Sequence, residues 1–132
     1  MMTEVPFLCL FAVFAQREQR FLNGLDLIGI YPEISFEGDD ADGWSKIPAR
    51  LYVQLMAPAG VHTLSCPLPQ FDSMLTAEFE IHAEDDGRYL AILSGEFPIL
   101  LRNGVQAYPL LLDGQPLTTA YLAVSRRKET AG

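Results

Sequence analysis

Glu78, Glu80 and His82 are the residues whose types and spacing come closest to a chemical site. On an extended strand, residues two apart share a face and lie about 6.5–7 Å from each other. Two carboxylates at that separation could flank a scissile bond as acid and base. With the imidazole, the three could instead ligate a divalent metal. The competing reading is a solvated sheet face, which antiparallel sheets commonly present to water. A second acidic group, Asp39, Asp40 and Asp42 in the loop spanning residues 37–43, has the donors a calcium ion wants. It does not follow the EF-hand pattern, because the aspartates fall at other offsets and no Glu closes the loop at position twelve. Asp85 and Asp86 could join such a site from a neighbouring loop.

Other reactive types are sparse. His62 and Cys66 are four apart, too far along a strand to hold one ion alone, and neither C-x-x-C nor H-x-x-x-H spacing occurs. Ser94-Gly95 is not set in a G-x-S-x-G elbow, neither cysteine has an evident His partner, and no G-x-x-x-x-G-K loop exists to cradle phosphate. Trp44 and Tyr52 suggest binding rather than catalysis. Trp44 follows the acidic loop, and Tyr52 should point away from Leu51 and Val53, so both are candidate exposed anchors for an interface.

The elements that position these residues read as strands. Leu51, Val53 and Leu55 alternate with polar neighbours, as do Ala77, Phe79 and Ile81. His62, Leu64, Cys66 and Leu68 share another face. Turn signals recur at short intervals: Asn23-Gly24, Asp42-Gly43, Asp86-Gly87, Asn103-Gly104 and Asp113-Gly114. Asp85-Asp86-Gly87 is expected to close a hairpin between the Glu-rich strand and residues 89–93, and Asp113-Gly114 another near the end. Pro109 marks an edge or a bulge. Residues 7–14 and 25–30 are apolar on both faces and read as covered strands. Residues 15–22, before Asn23-Gly24, fit either two helical turns or a polar hairpin loop. The expected fold is a single-domain, all-β, mostly antiparallel sandwich of about eight strands over residues 1–125, with a flexible tail at 126–132.

At 132 residues the chain fits one domain with a core of its own. A net charge of −8 repels phosphates and argues against nucleic acid. The apolar run at residues 7–15 ends like a signal-peptidase site, but no Lys or Arg precedes it, and it is far short of the roughly 20 residues of a membrane span. A buried first strand is the preferred reading. Two cysteines are too few for a disulfide framework and suit a reducing, cytoplasmic setting.

Several pieces together resemble a family. They are the opening strand at 7–14, the segment 24–31, Glu96-Phe97-Pro98, the Gly-x-x-x-Tyr stretch at 104–108, and Asp113-Gly114 before a closing apolar strand to Val124. They are similar to small bacterial β-sandwich proteins, immunoglobulin-like or C2-like, whose function is unknown. The resemblance implies a sandwich and neither an enzymatic activity nor functional residues. The expected function is therefore a non-catalytic protein-interaction module, without cofactor, that binds a protein partner or its own copy. The alternative is a divalent-metal-dependent binder or hydrolase using the acidic sheet face or loop.

Overall fold

The computed structural model describes residues 7–21, 24–30, 33–37 and 43–127. Among these are nine strands: β1 (Leu8–Phe21), β2 (Gly24–Ile30), β3 (Glu33–Glu37), β4 (Trp44–Met56), β5 (Gly60–Leu68), β6 (Ser73–Ile81), β7 (Arg88–Leu100), β8 (Gly104–Leu112) and β9 (Gln115–Arg127). Two 3-10 turns, Pro69–Phe71 and Ala83–Asp85, are the only helical pieces among the described residues. The strands form two sheets, ordered β2-β1-β4-β7 and β3-β9-β8-β5-β6. All pairings are antiparallel except β3 with β9, which is parallel. The expected all-β sandwich is the fold. No helix among the described residues is long and apolar enough to cross a membrane.

The core lies between the sheets and follows the period-two alternation. Leu51, Val53 and Leu55 of β4 face Leu64, Cys66 and Leu68 of β5, with Leu93 and Phe97 of β7 and Tyr108, Leu110 and Leu112 of β8 completing the same cluster. Polar side chains tie the layers together. The Tyr108 hydroxyl donates to the Pro98 carbonyl at 2.6 Å. The Gln106 amide copies a strand pairing: Leu100 N–H donates to its Oε1 at 3.0 Å and its Nε2 donates to Leu100 O at 2.6 Å. Buried polar groups are costly unless paired, so these bonds fix β8 against β7.

Four expectations are corrected. Residues 15–21 are neither helix nor loop but the second half of β1, paired with β2 from Ala15↔Ile30 to Phe21↔Gly24. A polar run with weak intrinsic preference takes the extended form because a partner strand supplies its hydrogen bonds. Asp85-Asp86-Gly87 does not close a paired hairpin. The chain leaves β6 in one sheet and enters β7 in the other, so the turn crosses a corner of the sandwich. Residues 7–14 are not covered on both faces: Cys9, Ala12 and Phe14 pack on the core, while Phe7, Leu8, Leu10 and Phe11 are exposed. A register shift between Cys9 and Phe11 accounts for the extra outward residue. Finally, Arg126 and Arg127 belong to β9, paired with Phe36 and Glu37, and not to a tail.

The other proline and turn readings hold more closely. Asp113-Gly114 joins β8 to β9, with both residues at positive φ (52° and 80°), the conformation a two-residue hairpin demands. Pro109 sits next to a register shift at Leu110/Leu111, on a stretch of β8 that β5 does not pair. A residue without an N–H is tolerated there.

Candidate functional site

The five-stranded sheet has a weak middle. β5 and β8 pair only at Leu64↔Leu112 and Ser65↔Leu111, so two residue pairs join the β3-β9-β8 half to the β5-β6 half. Beyond them, Asp113 in the β8–β9 turn continues the junction. Its N–H donates to Thr63 O at 2.9 Å, and Thr63 N–H donates to its Oδ1 at 2.8 Å. His62 completes the arrangement, with Nδ1 2.6 Å from Asp113 Oδ2 and Nε2 2.6 Å from Pro58 O. The ring lies between Phe7 and Phe79, each with its centroid 5.9 Å away.

This chemistry is that of a clamp. A carbonyl oxygen only accepts, so Nε2 must carry a proton, and an ionised Asp113 makes Nδ1 a donor as well. The ring is then an imidazolium. Burial opposes the charge, but the bonds to Asp113 and Pro58 and the carboxylate's charge outweigh it and raise the His62 pKa above its ordinary value. Burial also opposes the ionised Asp113, yet the bonds from His62 and Thr63 and the imidazolium's charge hold its pKa below the ordinary carboxylate range. A His–Asp pair resembles part of a catalytic triad, but here Nε2 is occupied by a backbone carbonyl and has no lone pair to offer a nucleophile. Sequence reading placed His62 on the apolar face of β5 without a partner. The available signal was that a buried imidazole needs acceptors for its N–H groups, and an Asp-Gly turn supplies one.

The sequence-derived candidates are placed as follows. Glu78 and Glu80 project from the exposed face of β6, and His82 follows that strand as the N-cap of the 3-10 turn Ala83–Asp85. Only Glu80 and His82 approach each other, with Oε1 and Nδ1 3.9 Å apart and both side chains 58% exposed. His82 N–H donates to Asp85 Oδ2 at 3.0 Å, so Asp85 caps the 3-10 turn that follows. Among the described residues no three His, Cys, Asp or Glu side chains converge to hold a metal. Asp39, Asp40 and Asp42 lie outside the described residues. Millimolar zinc or manganese is expected to leave the melting temperature unchanged. A native-state ligand must raise it, so a shift of even a few degrees would restore the metal reading of the Glu78–Glu80–His82 face.

Trp44 opens β4 opposite Leu100 and is 45% exposed. Tyr52 does point away from Leu51 and Val53, but it is fully buried and does not serve as an exposed anchor. Its register neighbours Val13 and Ile92 are themselves half-buried, so this outer region of the four-stranded sheet is apolar. The cysteines are free, and neither is an activated nucleophile. Burial raises Cys9 despite the contact with Phe11 O, and it pushes Cys66 up to about 11.

A cavity of about 510 Å³ has Ala15, Arg50, Ser94 and Glu96 among its walls. Its residues include no His or Cys that could pair with Ser94 as base or nucleophile. A different feature stands out on the five-stranded sheet. Val105, Ala107 and Pro109 of β8 are exposed, and beside them in register stand Ala123, Tyr121 and Thr119 of β9. Val105 is 68% and Tyr121 65% exposed, and this outward strip carries no charged side chain. No protein-family model matches the chain, and neither a curated protein nor a solved structure matches it.

Proposed function

We propose that the protein is a non-catalytic, cytoplasmic protein-interaction module that binds a protein partner or a second copy of itself. The observation that carries this reading is the charge-free outer strip of β8 and β9, centred on Val105 and Tyr121. A sheet face turned to water ordinarily alternates to polar residues, and an exposed apolar patch on an acidic chain marks a contact surface. Tyrosine suits that role because it covers a large area at small entropic cost. The net charge of −8 disfavours nucleic acid. The free thiols support a reducing compartment.

The test is a comparison of the tagged wild type with the Val105→Asp/Tyr121→Asp variant. Both sites are exposed, so the variant keeps its fold, as a melting curve verifies. The expected result is a partner captured from the native cell and lost in the variant, or a concentration-dependent dimer in light scattering that the variant abolishes. Identical partners and identical mass for the two proteins would overturn the reading.

A further inference from the structure

The five-stranded sheet turns its exposed large apolar side chains to one face. Val61 of β5, Met74 of β6, Val105 of β8 and Tyr121 of β9 are each at least half exposed, and all four lie on the side away from the core. Charge is kept to a flank. Glu78 and Glu80 stand on β6, two strands away from β8, whereas Val105 to Pro109 of β8 and Thr119 to Ala123 of β9 carry none. On a chain of net charge −8, a sheet face meant only for water would alternate to charged and polar residues there.

The strip has a shape as well as a polarity. Its outward rungs are Val105↔Ala123, Ala107↔Tyr121 and Pro109↔Thr119. Each of the first two joins a large side chain to an alanine, and the large one changes from β8 to β9 between them. Sheets packed face to face interdigitate, so a large side chain sits best over a small one. A twofold axis running along the strands, midway between β8 and β9, lays β8 over the β9 of a second copy. Tyr121 then stands over the second copy's Ala107 and Val105 over its Ala123, and symmetry repeats both contacts. An axis across the strands at the Ala107–Tyr121 rung would instead set tyrosine on tyrosine and turn each acidic β6 toward the other. An isologous contact also accounts for the missing charge, because any charge beside the axis is doubled there with its own sign. A partner drawn in by the acidity of this chain would be met by carboxylates, and these stand off the strip.

Resting on the reading of the chain as an interaction module, we propose that the partner of the β8–β9 strip is a second copy of this chain, packed face to face about a twofold axis along the strands. Tyr121 of each copy is the knob and Ala107 of the other the hole. The contact is two strands wide, at the small end of the range for interfaces, so the dimer is weak and forms with concentration.

Sedimentation equilibrium of the full chain at concentrations up to about 1 mM, where weak interfaces become populated, reads the dimer directly. Raising salt from about 0.05 to 0.5 M tightens it, because screening relieves the repulsion between two acidic chains. Ala107→Tyr sets large against large and Tyr121→Ala leaves a gap, so each raises the dissociation constant about ten-fold or more. The double variant Ala107→Tyr/Tyr121→Ala exchanges knob and hole on the same rung and restores most of the affinity. Both positions are exposed, and melting curves establish that all three variants are folded. The proposal is overturned by a chain that stays monomeric at about 1 mM, by a dimer that salt weakens, by single variants without effect, or by an exchange variant no better than the single ones. If the chain is monomeric while Val105→Asp/Tyr121→Asp still abolishes capture of another protein, the module reading stands without this proposal; if nothing is captured either, both fall.

Discussion

Phe97→Ala is expected to lower the unfolding free energy by about 3–5 kcal/mol, the usual range for removing a buried phenylalanine. Phe97 is fully buried in β7 and meets two other rings edge to face: Phe14 of β1 at 5.0 Å and Tyr108 of β8 at 5.7 Å. Phe14 and Tyr108 are themselves 5.4 Å apart, so the three rings form a triangle joining both sheets. Truncation deletes two of its three contacts, and the neighbouring strands, held by their ladders, cannot collapse into the space. Domains of this size are stable by only about 5–15 kcal/mol, so the loss is a large share of the total. Urea unfolding would show it as a fall in midpoint with little change in slope. Tyr121→Ala supplies the contrast, because its side chain stands outward on the same sheet as Tyr108 and should cost within about 0.5 kcal/mol. Equal losses at the two positions would mean that the inner and outer faces have been assigned wrongly.

That contrast also shows where the sequence was legible. Alternation is a local property, and Leu51, Val53, Leu55, Leu64, Cys66 and Leu68 all turn inward as their spacing predicts. Which sheet a strand joins is not local. Asp85-Asp86-Gly87 and Asp113-Gly114 carry similar turn chemistry, yet the first turns a corner between sheets and the second closes a paired hairpin. The difference lies in what each flanking strand pairs with, which the turn residues do not encode. Tyr52 repeats the point for burial: its direction follows from the period, but whether the outer face is covered does not. The polar stretch after Ala15 looks like a helix or loop until β2 is there to pair with it. The Glu78–Glu80 face follows from the period of β6, whereas the packing of Phe79 on Tyr89 does not, because it joins strands of two different sheets. The His62–Asp113 clamp was hidden for the same reason, since it joins residues 51 positions apart.

That clamp makes stability depend on pH in a defined window. Asp113→Asn is the variant that isolates it, because Asn tolerates the positive φ of 52° that this turn position requires and Ala does not. The amide can still accept from Thr63 N–H, but it carries no charge to hold the imidazolium. The folded His62 pKa is raised, so its contribution is complete below the unfolded value near 6.5 and is lost as pH rises through the folded value. The folded Asp113 pKa is lowered, so its contribution is present above the unfolded value near 3.8 and is lost as pH falls through the folded value. Wild type should therefore exceed Asp113→Asn most between about pH 4 and 6.5, by about 1–3 kcal/mol, the cost of leaving a buried donor without its partner. The difference should shrink on either side. Imidazole titration by NMR should show the His62 pKa falling in the variant, because the largest influence left on the ring is burial. Two residue pairs and this clamp hold the halves of the five-stranded sheet together, so amides near Leu64, Ser65, Leu111 and Leu112 should exchange faster in Asp113→Asn than in wild type at pH 5.5. Parallel pH profiles for the two proteins, or an unchanged His62 titration, would show that the pair contributes nothing to holding the sheet closed.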